Sequence, residues 1–142
     1  MKRLIFASLA TIILVSCGPS EPKPIKLNSD TCDFCKMTIS NSKFATELIT
    51  QKGRIYKFDD ISCMIRYAKS NTTVEYDGFY VNDYLTENKF IDAERGFYLM
   101  GGIIKGPMGG RVAVFSTQKD ANDYLSKLKA TKSSWEEIYY AY

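Results

Sequence analysis

A six-residue pattern occurs twice in this chain and restricts how it can fold. Gly53-Arg54-Ile55-x-x-Phe58 returns as Gly110-Arg111-Val112-x-x-Phe115, each time followed by polar residues and then by apolar residues at helical spacing. In the first copy Ile61, Met64, Ile65 and Ala68 stand at i, i+3, i+4 and i+7; Ala121, Tyr124, Leu125 and Leu128 do so in the second. The spacing predicts a first amphipathic helix running to about residue 69, with Asp59 and Asp60 as N-cap candidates. A β-forming run precedes each copy, at residues 44–50 and 96–100, and Gln51-Lys52-Gly53 supplies a hairpin turn. Two strand-strand-helix units, about 32–86 and 87–142, therefore predict an α+β fold with a mainly antiparallel sheet. Residues 74–85 and 89–91 read as further strands around a turn at Asp77-Gly78. The aromatic segment 134–142 fits either a closing strand or a helix.

The N-terminal stretch has a different composition. Basic Lys2 and Arg3, an apolar run over residues 4–15 and a cysteine at 17 make the pattern of an export signal. The run is short for a membrane span. Leu14-Val15-Ser16-Cys17 resembles a bacterial lipobox, so residues 1–16 are expected to be removed as a lipoprotein signal peptide and Cys17 to carry a lipid anchor on its sulfur. A plain secretory signal or a short anchor helix is the alternative. Gly18 stands where an aspartate retention signal would, which favours the outer membrane. Residues 17–31 hold three of the four prolines and read as a flexible tether, leaving 32–142 as the working domain. Without Lys2 and Arg3, 17 of the 19 basic side chains remain against 16 acidic ones, which gives no argument for nucleic acid.

The chain has no histidine, which removes the commonest general base and any Ser-His-Asp arrangement. Gly101-Gly102 and Gly109-Gly110 make no phosphate-binding fingerprint, so an enzyme is the weaker class. Sulfur is what the sequence offers instead. Cys32-Asp33-Phe34-Cys35-Lys36-Met37 places three sulfurs in six residues. A Cys-x-x-Cys spacing lets two thiols meet across one turn, and Cys35 and Met37 share a face if the segment is extended. Thiolate with thioether suits Cu(I) better than zinc. Cys63 falls near a helix N-terminus, where a thiol pKa is lowered, although a small buried residue is an equal reading. Met108 lies in Gly106-Pro107-Met108-Gly109-Gly110, a tight exposed loop from which a thioether can reach a metal. Met64 and Met100 read as core, and Asp59 and Asp60 as caps favoured by the helix dipole.

Setting Cys17 aside leaves three cysteines, an odd number that argues against a purely structural disulfide framework. Two rivals to copper stay open. A thiol-disulfide protein using Cys32 and Cys35 would need a strand before the pair and a helix after it, which the proline-rich stretch and the following β-forming run do not supply. A structural zinc site would be one ligand short unless an aspartate joins.

Several of these segments together resemble the NosL family, membrane-anchored lipoproteins that serve copper supply to nitrous oxide reductase. The resemblance rests on the lipobox at Cys17, on Cys32-x-x-Cys35-x-Met37, on the run from Tyr56 through Asp59-Asp60-Ile61 to Cys63-Met64, on Phe90-Ile91-Asp92-Ala93 leading to Tyr98, and on Met108-Gly109 before Ala113-Val114-Phe115 and Asp120-Ala121. It implies Cu(I) binding by thiolate and thioethers, and a duplicated architecture similar to the organomercurial-lyase fold. It also implies a periplasmic handover of copper to the reductase or its assembly proteins. A histidine ligand described for some members has no counterpart here. The expected ligands rank Cys35 and Met37 first, then Met108 and Cys32, and Cys63 last, with the approach of Met108 to the opening stretch implied by the family.

Overall fold

A computed structural model describes residues 20–142, so the expected signal peptide and the lipidation of Cys17 lie outside the described residues. The first half contributes strands β1 (Thr46–Thr50) and β2 (Ile55–Phe58), helix α1 (Ile61–Ser70) and strand β3 (Tyr76–Asn82). Strand β4 (Phe90–Asp92) follows, and then β5 (Phe97–Met100), β6 (Val112–Phe115), helix α2 (Gln118–Leu125), strand β7 (Thr131–Ser133) and helix α3 (Trp135–Ala141). The strands form two antiparallel sheets rather than one, ordered β2-β1-β3-β4 and β6-β5-β7.

The sequence repeat is a structural repeat, and it extends one strand further than the motif. In each half the first strand is central, flanked by its hairpin partner on one side and by the strand after the helix on the other. Alternation along β6 explains how the halves pack. Val112 and Val114 face the main core, which also holds Leu48, Phe58, Met64, Ile65 and Tyr98, whereas Ala113 and Phe115 face a second core with Leu99, Ala121 and Leu128. The small sheet is thus covered on both faces, with α2 against β5 and β6 and α1 against β1 and β2.

Local chemistry sets the element ends. The Asp60 carboxylate accepts from the Ser62 N–H at 2.7 Å and caps α1, and the Thr117 hydroxyl caps α2 by accepting from the Asp120 N–H. The aromatic C-terminus resolves as a helix because Ser134 and Glu137 form a reciprocal capping box. Its Trp135 and Tyr139 pack on Phe79, and Ile138 enters the main core.

Three expectations need correction. The strand β3 runs straight through Asp77-Gly78, with Gly78 opposite Ile49 at a register shift where a Cβ would press on the Tyr80 ring; the turn lies at residues 83–89, held by the Asp83 carboxylate on the Leu85 N–H. The boundary near residue 86 is crossed by β4, which pairs with β3 of the first half. Finally, the segment read as tether through residue 31 is packed over its second half. Ile25 is buried in the main core, the Lys23 N–H donates to Glu47, and Ile25 and Asn88 exchange backbone-to-amide hydrogen bonds. Two apolar residues, Ile25 and Leu27, suffice to dock this strap when the sheet offers partners for its backbone.

Candidate metal centre

The Cys-x-x-Cys lies on the loop of a small hairpin. Thr31 and Thr38 form an antiparallel bridge, the Cys32 N–H donates to the Met37 carbonyl at 2.8 Å, and the Lys36 N–H donates to the Cys32 carbonyl at 3.0 Å with Lys36 in the left-handed region at φ 66°. Asp33 ties this loop to β2: its N–H donates to the Lys57 carbonyl, and its carboxylate accepts from the Lys57 N–H, both at 2.8 Å. The loop is therefore fixed beside the end of β2, where the chain passes through Asp59 and Asp60 into α1.

There the Sγ atoms of Cys32, Cys35 and Cys63 and a carboxylate oxygen of Asp59 all come within 4.8 Å of one another. Three segments meet: the hairpin loop, the strand-helix junction and the first turn of α1. Cys32 and Cys63 have no exposed surface and Asp59 is 2% exposed, while Cys35 is half-buried and forms the open side of the cluster. The Cys35 thiol donates toward both Asp59 oxygens, at 3.6 and 3.7 Å.

Charge is strongly coupled in so small a space. Cys32 loses its proton most readily, because the Cys63 thiol donates a hydrogen bond to its sulfur, and Cys63 becomes correspondingly hard to ionise. Burial raises the Cys35 thiol. Burial also pushes Asp59 up to about 6, with the negative charge of Cys32 adding to the effect. A cation entering this cluster would release the remaining thiol protons, and each soft thiolate would gain a partner in place of a like charge.

The second half supplies one wall. Asp60, besides capping α1, accepts from the Gly110 N–H at 2.9 Å and the Met108 N–H at 3.2 Å. A Cβ at Gly106 or Gly110 would overlap this carboxylate, so glycine is required there for the loop to close on it. Met108 is half-buried, packed against the main core, and anchored one residue from Asp59. Met37 has its carbonyl on Cys32 but its side chain is 56% exposed.

Of the residues singled out in the sequence, then, the fold gathers Cys32, Cys35 and Cys63, holds Met108 on an adjoining loop, and leaves Met37 exposed to solvent. Met64 is buried core, as its helical periodicity predicts, and Met100 packs against that core, as its place in an apolar strand predicts. Sequence reasoning missed Asp59 by treating both aspartates as caps. One helix start needs one N-cap, and Asp60 fills that role, which leaves the Asp59 carboxylate, one residue before the cap, to join the cluster.

A duplicated α+β domain with a sealed thiol-carboxylate cluster open at one sulfur is the class that fold and site define. The NosL family model matches residues 24–142. The chain belongs to the NosL family. Among solved structures it is similar to the copper chaperone NosL from Shewanella denitrificans, with 20% identity, a TM-score of 0.71, and coverage of 84% of this chain and 96% of that one. A comparison with curated proteins gives no match.

Proposed function

We propose that this chain is a membrane-anchored metallochaperone that binds Cu(I) at the Cys32, Cys35, Asp59 and Cys63 cluster and delivers it for assembly of nitrous oxide reductase or a related copper enzyme. The observation that carries the reading is the convergence of three sulfurs from three segments within 4.8 Å, next to a relative described as a copper chaperone. Thiolates are soft donors that favour Cu(I), and the chain has no imidazole to compete. The lipid on Cys17 would hold the domain at the periplasmic face of a membrane, most readily the outer one, and raise its effective concentration near the receiving protein. Among the described residues no helix is long and apolar enough to cross a membrane.

The burial gradient suits transfer. Cys32 and Cys63 retain the ion away from water, and half-exposed Cys35 is where an incoming ligand can add before an old one leaves. Met37, exposed on the hairpin, and Met108, on the loop bound to Asp60, are the thioethers that would assist at the open side. The rival thiol-disulfide role lacks its usual setting, since Cys32 and Cys35 sit on a hairpin loop and not at the start of a helix. Zinc is the stronger rival, because Asp59 supplies the fourth donor that a zinc site would lack.

The reading is tested by anaerobic titration of Cu(I) into the reduced full chain, held in detergent, against a coloured Cu(I) chelator. One tight equivalent is expected, weakened at least about tenfold in Cys35→Ser, or about 1.4 kcal/mol. A chelator that keeps all the copper overturns the reading, and preserved stoichiometric Zn(II) binding in the same protein would reassign the cluster to zinc.

A further inference from the structure

The three thiols differ in one respect that binding alone does not use, which is their access to other molecules. Cys32 and Cys63 are fully buried, so a solute can touch only Cys35. Behind Cys35 lies Cys32, with its sulfur within 4.8 Å and its backbone in the same turn, closed by the Lys36 N–H on the Cys32 carbonyl. Cys63 belongs to the first turn of α1, whose start is pinned by the hydrogen bonds of Asp60. All three sulfurs are close, but a Cys32–Cys35 bond closes within one hairpin loop, whereas a bond from either to Cys63 ties that loop covalently to the helix.

We propose that Cys32 and Cys35 form a reversible disulfide in the metal-free protein, and that this bond gates the metal site. The inference rests on the copper reading for its consequence but not for its chemistry. A small-molecule disulfide RSSR is attacked by the Cys35 sulfur, giving a Cys35–SR mixed disulfide and releasing RSH. Cys32 then attacks the Cys35 sulfur and expels the second RSH. Two thiols are oxidised, one external disulfide is reduced, and the two thiol protons leave on the two RSH molecules. The product keeps only Cys63 as a thiol ligand, so the cluster no longer holds a soft ion well. With an ion bound, Cys35 is engaged and the entry point for oxidation is closed. Loading must then be preceded by a two-electron thiol-disulfide exchange with a dithiol donor in the same compartment.

The test uses the reduced, metal-free full chain in detergent, incubated with oxidised glutathione, followed by alkylation of remaining thiols and mapping of linked peptides. The expected map joins Cys32 to Cys35 and leaves Cys63 as an alkylatable thiol after unfolding. Affinity for Cu(I) should fall at least about tenfold on oxidation, 1.4 kcal/mol, and return with dithiothreitol. Cys35→Ser, with Cys17 lipidated, should consume oxidised glutathione at least tenfold more slowly, since among the described residues no reachable thiol remains. A stable Cys35–glutathione adduct, a bond to Cys63, or unchanged Cu(I) uptake after oxidation would overturn the proposal. The disulfide map needs no copper: a chain that forms the Cys32–Cys35 bond but binds no Cu(I) when reduced overturns the copper reading while leaving the bond assigned.

Discussion

In the first half Phe58 packs on Tyr67 with ring centroids 5.3 Å apart, and in the second Phe115 packs on Tyr124 at 5.4 Å. The same strand end meets the same turn of the following helix, so the scaffold at this junction is common to both halves. What stands on it differs. Asp59, Asp60 and Cys63 of the first junction correspond to Ser116, Thr117 and Asp120 of the second; the cap is kept as Asp60 or Thr117, and the thiol and its carboxylate neighbour are not. The hairpin loop differs in the opposite sense. Four residues join β1 to β2, whereas residues 101–111 join β5 to β6, and it is this longer loop that reaches Asp60. One half holds the cluster and the other lends it a wall, which is how a duplicated scaffold acquires a site without losing either core.

The largest effects should show that the scaffold is shared. Phe58→Ala and Phe115→Ala each empty a fully buried position and should each cost about 3–5 kcal/mol in urea unfolding; a tolerated Phe115→Ala would break the equivalence. The site itself should be one-sided. Cys63→Ser should weaken Cu(I) binding roughly a hundredfold, about 2.7 kcal/mol, while Ser116→Ala at the second junction leaves chelator competition unchanged.

A third contrast lies on the central strands, where Glu47 of β1 corresponds to Tyr98 of β5. The Tyr98 hydroxyl donates to the Ala93 carbonyl at 2.6 Å, whereas Glu47, equally buried, has one oxygen on the Lys23 N–H and the other without a partner among the described residues. Burial pushes Glu47 up to about 7 from its ordinary 4.5. The native state then holds this proton more tightly than the unfolded chain, so its contribution to stability is complete below about pH 4.5 and is lost as pH rises to about 7. Glu47→Gln should therefore raise stability at pH 8 by on the order of 1–3 kcal/mol and change it little at pH 4; an equal gain at both would show that ionisation is not the cause. The smallest effect separates cap from clamp. Thr117→Ala should cost about 1 kcal/mol as a lost cap, and Asp60→Ala about 1 kcal/mol more, because it also frees the Met108 and Gly110 N–H groups.

Much of the scaffold is legible in the sequence because it is local. The period of Ile61, Met64, Ile65 and Ala68 reports a buried helical face, and the repeated glycine-to-phenylalanine motif reports a hairpin entering it. The turn after β1 is legible for the same reason, read at Gln51-Lys52-Gly53 and ending one residue later in the fold. The strap over residues 23–31 is not, because Pro24 and the lysines on either side of it signal solvent while its docking depends on Glu47 and Asn88, far along the chain. Within the cluster, Cys32 and Cys35 announce themselves by spacing. Cys63 and Asp59 do not, since a buried cysteine and a helix-start aspartate each have commoner explanations, and it takes tertiary contacts, the Asp33 tie and the Asp30 ion pair to Lys57, to bring the hairpin loop over them. Met37 shows the converse: adjacent in sequence to the cluster, it points to solvent because the left-handed Lys36 turns the chain between it and Cys35.

X-ray absorption at the copper edge of the full chain carrying one Cu(I) addresses the cluster most directly. The expected spectrum is a sulfur-dominated first shell that loses sulfur in Cys32→Ser and again in Cys63→Ser. A shell that both substitutions leave unchanged would place the ion outside the buried thiols and contradict the assignment.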